Sequence, residues 1–598
     1  MHIRGQSSGL NFSTSPLLAS RTPVWRSKFL LAVMAAGFAV LAGRAFYVQV
    51  FNNRFFIHQG EIRFSRTLLL PASRGRILDR NGLVLASSVP APDIWAIPQD
   101  VETDDPAVLA KLEQVARLLS MPKAELVKKL GDPDRSFVWV QRQVDKDIAD
   151  RIAALHVPGL YERTDYKREY PSGEGDAHVV GFANVENIGQ EGMELSLNQR
   201  LAGTSGSRRV IKDRIGRIVD DIGEEVPPVD GQDVALSIDD RIQFIAYQKL
   251  RDAVVANKAH AGSVVVVDAH TGELLAMANY PSFDPNDRGH LTGEQLRNRA
   301  MTDVFEPGST MKPLTVATAL QLGRVQPNTI IDTNPGSVVV TGATIHDDAN
   351  FGVLTVQGVI QKSSNVGATK ISQRMSAHEM WDSFSAVGLG RKPDTVFPGA
   401  VSGRLRPWKT WRPVEQATMS YGYGLSASLF QIAHAYTAFS NDGSVIPVSV
   451  LKLDAPPQGV QVFSPLVASE VREMMHLAAS PEGTAPLART DGYSVGGKTG
   501  TAHKQVGKGY ASNKYRAWYT GMSPIDKPRI IVSVMVDEPS AGKYFGGQVA
   551  APVFSQVVQQ TLRILGVRPD LAVTSGVAMA KDKAPAVAAV SASSAGHL

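Results

Sequence analysis

At 598 residues the chain is too long for one ordinary core and implies two or three domains. Its 43% hydrophobic and 20% charged residues are globular values, so any membrane part is a local segment, and zero cysteines exclude disulfides, thiol catalysis and cysteine lipidation. The formal charge of +5 is concentrated at the start: six basic residues precede the first acidic one, Glu61, and the remaining 56 basic against 57 acidic residues argue against nucleic-acid binding.

Met1–Lys28 is read as a cytoplasmic tail, polar and Ser-rich through Thr22. Residues 29–51 (FLLAVMAAGFAVLAGRAFYVQVF) are long enough for one transmembrane helix, with Arg44 the single charge. Basic residues before Phe29 place the amino terminus inside and Asn52 onward outside. A cleaved signal peptide is the rival reading, and the apolar character that resumes at Phe46, Tyr47, Val48 and Val50 makes the segment longer than a signal core.

Residues 52–229 mix strand-like runs, Gly and Pro turns and an amphipathic stretch near Asp105–Leu130, without a nucleophile, base and orienter together. This is the pattern of a non-catalytic pedestal. Pro227, Pro228, Asp230 and Gly231 mark its end, and 230–570 is expected to be the catalytic domain. There Val234–Ile238 reads as a strand, and Ile242, Ile245, Leu250 and Val254 give a helical period. Gly262–Asp268 and Leu274–Met277 read as a hairpin about His270-Thr271-Gly272. Strand patterns at Ala517–Met522 and Ile530–Val536 precede an amphipathic helix at Pro552–Leu565, and 571–598 is a tail without a packed element. The expected class is α+β: a transmembrane helix, an elongated pedestal, and a domain with a central antiparallel sheet flanked by helices.

Three motifs carry chemistry. In Glu306-Pro307-Gly308-Ser309-Thr310-Met311-Lys312 the Pro-Gly pair signals a helix start, and the i, i+3 spacing sets the Lys312 amine beside the Ser309 hydroxyl. A desolvated lysine can be neutral and take the serine proton. Alone, Ser-x-x-Lys recurs by chance about once or twice in such a length and equally describes a helix cap with a solvated lysine. Ser363-Ser364-Asn365 offers a hydroxyl relay at Ser363 and an amide at Asn365 that can hold substrate and bond Lys312. Lys498-Thr499-Gly500-Thr501 offers a cation and two hydroxyls for a substrate carboxylate on an edge strand, with Gly500 leaving room for a substrate backbone. In this order the three form the set found in class A β-lactamases and penicillin-binding proteins. The middle motif has Ser364 where that set has Asp, which favours the second.

The stretch Arg297–Ser309, the Tyr421-Gly422-Tyr423-Gly424 run and Ala541–Gly547 leading into Ala551–Phe554 resemble the division-specific class B penicillin-binding proteins, the FtsI-type peptidoglycan D,D-transpeptidases. The likeness extends to Arg74–Gly82 and Gly189–Glu194 in the pedestal. It implies that Ser309 attacks the D-Ala-D-Ala bond of a stem peptide and that a neighbouring stem's amine resolves the acyl-enzyme into a 4→3 cross-link. Lys312 would be the base, Ser363 and Asn365 the relay and amide clamp, and Lys498, Thr499, Gly500 and Thr501 the carboxylate site. The N–H groups of Ser309 and Thr501 would form the oxyanion hole. β-Lactams would acylate Ser309. The likeness further implies no metal or organic cofactor, a single-pass inner-membrane protein with a periplasmic catalytic domain at the septum, and partnership with a septal glycosyltransferase and other division proteins.

The rivals are a β-lactamase or D,D-carboxypeptidase, an elongation-type transpeptidase, and a non-enzymatic β-lactam-binding division scaffold. No evident second base activates water, and no membrane segment follows Phe51 to make a transducing sensor. His346-Asp347-Asp348 superficially suggests a metal cluster, but no further ligand stands at suitable spacing. Tyr421 and Tyr423 read as packing around a Gly-permitted bend.

Overall fold

A computed structural model of the chain describes residues 23–52, 55, 65–132, 134–212, 218–221, 225–506 and 509–572. The polar stretch expected over Met1–Thr22 and all but the first two residues of the expected tail lie outside them. The chain forms two compact units, one of Met1–Leu70 with Ser205–Pro228, the other of Pro71–Thr204 with Val229–Leu598.

In the first unit a helix over Val24–Phe46 continues as a π turn through Tyr47–Phe51, and together they make one span long and apolar enough to cross a membrane. The helix starts before the apolar run: Pro23 is its N-cap, so Trp25, Arg26 and Lys28 belong to its first turns. The unit also holds a three-stranded sheet in which β1 (Ser65–Leu70) pairs antiparallel with β8 (Gly206–Lys212), and β8 with β9 (Ile218–Asp221).

In the second unit, β2 (Ile77–Leu78), β3 (Val84–Pro90), β7 (Tyr166–Glu169) and β10 (Val234–Ala235) form a sheet in the order β10-β2-β3-β7. The strand expected over Val234–Ile238 stops at Ala235, because Leu236 bridges to Leu451 and the Ser237 hydroxyl donates to the Leu274 and Ser449 carbonyls. A second sheet has β4 (Asp93–Ala96) between β5 (Val138–Gln141) and β6 (Leu160–Arg163). The helices Pro106–Leu118, Lys123–Leu130 and Lys146–Ala153 cover one face of it through Ile94, Leu112, Leu126, Val140 and Ile152, so the amphipathic stretch is two helices broken at Pro122. The two pedestal motifs meet here. Glu194, fully buried, accepts from Arg74 Nε and Arg168 Nε at 2.6 Å each, and Arg74 also donates to the Glu194 carbonyl at 2.9 Å. Asp79 closes the Arg74–Gly82 turn, accepting from the N–H groups of Asn81 (2.7 Å) and Leu83 (2.8 Å).

The main sheet is antiparallel, in the order β12-β11-β21-β20-β19, from β11 (Ala261–Asp268), β12 (Leu274–Tyr280), β19 (Gly496–Val506), β20 (Gly509–Ser523) and β21 (Ile530–Asp537). One face packs Val264, Val266 and Val532 against the helices Asp240–Ala256 and Ala551–Ile564. The other packs Val265, Met277 and Met535 into the core shared by the helices Lys312–Gln321, Leu429–Ser440 and Pro465–Ala478. Burial on both faces explains why Val264–Val267 is continuously apolar instead of alternating. Between Thr329 and Gln461 lie three small two-stranded pairs: β13 (Ile330–Asp332) with β16 (Val353–Thr355), β14 (Ser337–Val340) with β15 (Ala343–His346), and β17 (Ser444–Val445) with β18 (Val460–Gln461).

Candidate active site

Ser309 lies in a 3₁₀ turn, Gly308–Met311, that opens the helix Lys312–Gln321. Pro307 and the left-handed Gly308 (φ 56°) turn the chain into it. The Thr310 hydroxyl donates to the Pro307 carbonyl and the buried Tyr436 hydroxyl to the Thr310 carbonyl, each at 2.8 Å, so the turn is held from both sides. Lys312 is fully buried, with Nζ 3.0 Å from Ser309 Oγ.

The helix Val356–Lys362 ends on Ser363, whose left-handed conformation (φ 60°) aims both its carbonyl and its hydroxyl at Lys312. Lys312 Nζ donates to the Ser363 carbonyl and, at 2.8 Å, to Asn365 Oδ1. Ser363 Oγ is 3.0 Å from the same nitrogen. Asn365 Nδ2 donates to the His346 carbonyl at 3.0 Å, which fixes its oxygen toward the lysine. Two of the four neighbours can only accept. They use both hydrogens of a neutral amine and leave its lone pair for a hydroxyl proton. Burial lowers the Lys312 pKa to about 7, against the opposing pull of Asp347 and Asp348. The amine can therefore be neutral near neutral pH and act as a base.

Ser364 is turned away from this centre. Its side chain caps the helix Asn365–Ser372, accepting from the Gly367 N–H at 2.8 Å and donating to Asp347 Oδ2 at 2.6 Å. Asp347 Oδ1 in turn accepts from the backbone N–H groups of Asn365 and Val366. Sequence reasoning set Asp347 aside with the metal idea and missed this role. No local signal carries it, because the partners lie 17–19 positions further on.

The edge strand β19 brings Lys498, Thr499, Gly500 and Thr501 alongside. Lys498 is fully buried and donates to Thr499 Oγ1 at 2.9 Å. Burial holds its pKa well below the ordinary lysine value, and the neighbouring Lys312 pushes it the same way. A surface hairpin would leave this lysine solvated. At Gly500 a Cβ would stand 2.9 Å from the Pro307 carbonyl oxygen, so the absence of a side chain lets the strand lie against the serine turn. Thr501 Oγ1 accepts from the Gly546 N–H at 3.0 Å. The four groups Ser309, Lys312, Ser363 and Asn365 thus meet at one nitrogen, with the Lys498–Thr501 segment beside them.

The Tyr421–Gly424 run packs on the serine turn. Gly422 (φ 89°) accepts from the Gly308 N–H at 3.2 Å, and a Cβ there would stand 2.0 Å from the Gly308 oxygen. Tyr421 and Tyr423 lie 5.8 Å apart, ring to ring, as packing around that bend.

The penicillin binding protein transpeptidase domain matches residues 262–559, and the penicillin-binding protein dimerisation domain matches 69–236. The probable peptidoglycan D,D-transpeptidase PenA of Neisseria gonorrhoeae is 44% identical over 552 residues, 92% of this chain and 94% of that protein. The chain belongs to the class B penicillin-binding proteins. Peptidoglycan D,D-transpeptidase FtsI of Escherichia coli (strain K12) is 40% identical over 554 residues, again 92% of this chain and 94% of that one. Among solved structures of penicillin-binding proteins, the apo transpeptidase domain of Burkholderia pseudomallei penicillin-binding protein 3 has 55% sequence identity and a TM-score of 0.53, covering 56% of this chain and 98% of that one. A peptidoglycan synthetase from Bifidobacterium adolescentis, at 24% identity, shares the fold over 85% of this chain and 98% of that one with a TM-score of 0.67.

Proposed function

We propose that this penicillin-binding protein is a peptidoglycan D,D-transpeptidase that cross-links septal wall through an acyl-enzyme on Ser309. The observation that carries the reading is the buried Lys312 amine, 3.0 Å from Ser309 Oγ with both of its N–H bonds directed to acceptors. Ser309 Oγ attacks the carbonyl between the two terminal D-alanines while its proton passes to Lys312. The N–H groups of Ser309 and Thr501 hold the developing oxyanion. The proton then travels by way of Ser363 to the departing D-alanine nitrogen, and the C–N bond breaks. The amine of a second stem attacks the ester carbonyl and loses a proton to Lys312; the bond between the acyl carbon and Ser309 Oγ breaks, Lys312 returns the proton to Oγ, and the new amide is the cross-link. Lys498, Thr499 and Thr501 hold the terminal carboxylate, and Asn365 orients the stem amide. A β-lactam, whose ring nitrogen stays attached after opening, acylates the same serine.

The membrane span, the pedestal and the likeness to FtsI support a single-pass inner-membrane protein with its catalytic domain in the periplasm. Septal location and association with a glycosyltransferase and other division proteins are part of the proposal. Intact-protein mass spectrometry after exposure to a penicillin tests the chemistry: one adduct on the wild type, none on Ser309→Ala. An adduct that persists in that variant overturns it. Depletion in a rod-shaped host should give filaments, with the protein normally at midcell; round cells and lateral location would instead place it in elongation.

A further inference from the structure

In the second unit, residues 172–180 of the pedestal lie along the helix Asp240–Ala256, which packs on the main sheet. The Ser172 hydroxyl donates to Asp240 Oδ1 at 2.8 Å, Gln243 Nε2 to the Gly175 carbonyl at 2.8 Å, and the Tyr247 hydroxyl to Glu174 Oε2. Positions 240, 243 and 247 share one face of the helix, so this seam is bonded over about two turns. Asp176 breaks the pattern. It is 4% exposed, and neither of its carboxylate oxygens has a hydrogen-bond partner among the described residues. The side chain within its reach is a second acid, Asp240, and Asp79, just after β2, adds a further negative charge. The other charged groups of these elements are engaged elsewhere: Arg241 with Asp239, Arg80 with Glu273, and Glu174 with Tyr247. His178, two positions on, turns its Nε2 to the Gln295 carbonyl at 2.7 Å. An ionised carboxylate buried beside another without a donor is strongly disfavoured, whereas a protonated one supplies the missing hydrogen itself. Burial first, and then the charges of Asp240 and Asp79, hold the Asp176 pKa well above the usual carboxylate value.

We propose that Asp176 and Asp240 share one proton, and that this carboxylic acid pair is a pH-sensitive latch holding residues 172–180 on the helix. The Asp176 O–H donates to the Asp240 carboxylate, which also accepts from Ser172. When the proton leaves to water, two charges face each other with no donor between them, and the segment is released. Release reaches beyond the pair. The His178 carbonyl accepts from Asn298 Nδ2 at 3.2 Å, and Asn298 caps the short helix Arg299–Thr302 that leads to the Ser309 turn. The latch stands apart from the transpeptidase reading of Ser309 and does not rest on it. Its sign is fixed by linkage: an acid protonated in the closed seam and ionised in the open one favours closure most below about pH 3.9, and that contribution is lost as pH rises through the closed-state value.

Asp176→Asn tests it, because the amide still donates to Asp240 and cannot ionise. The Val179 and Val180 amides, whose hydrogens the Asp176 carbonyl accepts at 2.9 Å each, report release of the segment. Their deuterium exchange is followed by mass spectrometry in the full-length, detergent-solubilised protein, wild type and variant side by side at each pH, so that the chemical exchange rate cancels. The ratio of the wild-type rate to the variant rate should climb by about tenfold per pH unit from about pH 5 until the closed-state pKa is passed, as one extra bound proton requires. A ratio that stays constant from about pH 5 to about pH 9 overturns the latch. The infrared spectrum of the wild type alone gives a second reading if the variant fails to fold. It should show the carbonyl absorption of a protonated carboxyl group at neutral pH, lost in alkaline buffer, and absence of that band at neutral pH also overturns the proposal.

Discussion

Asp347 holds Asn365 in place from the far end of the β14–β15 hairpin: one carboxylate oxygen accepts from the N–H groups of Asn365 and Val366, and the other accepts from the Ser364 hydroxyl at 2.6 Å. The acid thus sits at the positive end of the Asn365–Ser372 helix, whose first residue supplies the amide that bonds Lys312. Asp347→Asn keeps the shape but loses the charge and places an amide donor near N–H groups. Acylation by penicillin should fall about 10- to 100-fold, with a stability loss of about 1–2 kcal/mol. Asp347 also raises the Lys312 pKa, so the acid limb of the rate profile should move to lower pH. An unchanged acid limb in stopped-flow acylation would show that Asp347 does not act on Lys312.

With Lys312 as the proposed base, its amine sets the pH dependence of acylation. Its amine is a base only when unprotonated, and with a pKa near 7 the acylation rate should rise with pH through that value and level off above it. The stability consequence has a definite sign. A lysine whose pKa is lower in the folded state than its ordinary 10.5 is protonated more fully in the unfolded chain between about 7 and 10.5. This group's contribution to stability therefore grows as pH rises across that window. Lys312→Met removes the buried amine, so it should abolish acylation and flatten this part of the stability profile. Denaturant unfolding of both proteins at pH 7 and 9 reads the difference.

Glu194 is the keystone of the pedestal motifs, being fully buried between two guanidinium groups. Glu194→Ala leaves Arg74 and Arg168 buried without their carboxylate, which should cost about 3–5 kcal/mol. Glu194→Gln retains an oxygen acceptor but replaces the carboxylate's charge and should cost less. Chemical denaturation followed by tryptophan fluorescence separates the two variants.

Much of the catalytic domain was legible because its signals are local. The valine run at Val264–Val267 and the turn at His270–Gly272 announce one hairpin, and the i, i+3 spacing announces the contact between Lys312 and Ser309. Partners distant in sequence were not legible. The pairing of β11 with β21 joins residues more than 260 positions apart, and the three small strand pairs in the middle of the domain have too few residues for a period to emerge. Asp347 is the clearest case: in sequence it stands with His346 and Asp348, whereas in the fold its carboxylate turns to backbone N–H groups. Arg74, Arg168 and Glu194 likewise carry no sign in sequence of their convergence.

Gly422 gives the sharpest steric test. The Tyr421–Gly424 run resembles division-type proteins in sequence, but its physical work is to press backbone against the serine turn. A Cβ at position 422 would lie 2.0 Å from the Gly308 oxygen and 2.5 Å from its nitrogen, and φ of 89° is unfavourable for any L side chain. Neither obstruction is the end of a flexible side chain, so relief requires the turn itself to move. Gly308 directly precedes Ser309, the proposed nucleophile, and a displacement of even about 1 Å there can cost roughly 100-fold in rate. Gly422→Ala should therefore lower penicillin acylation by at least that factor and destabilise the fold by about 1–3 kcal/mol. Gly542→Ala is the control. It also has positive φ (86°), but nothing lies within 4 Å of its added Cβ, so it carries the backbone strain without the collision. If the two variants acylate equally slowly, backbone strain accounts for the effect and the contact between Gly422 and Gly308 does not position the serine.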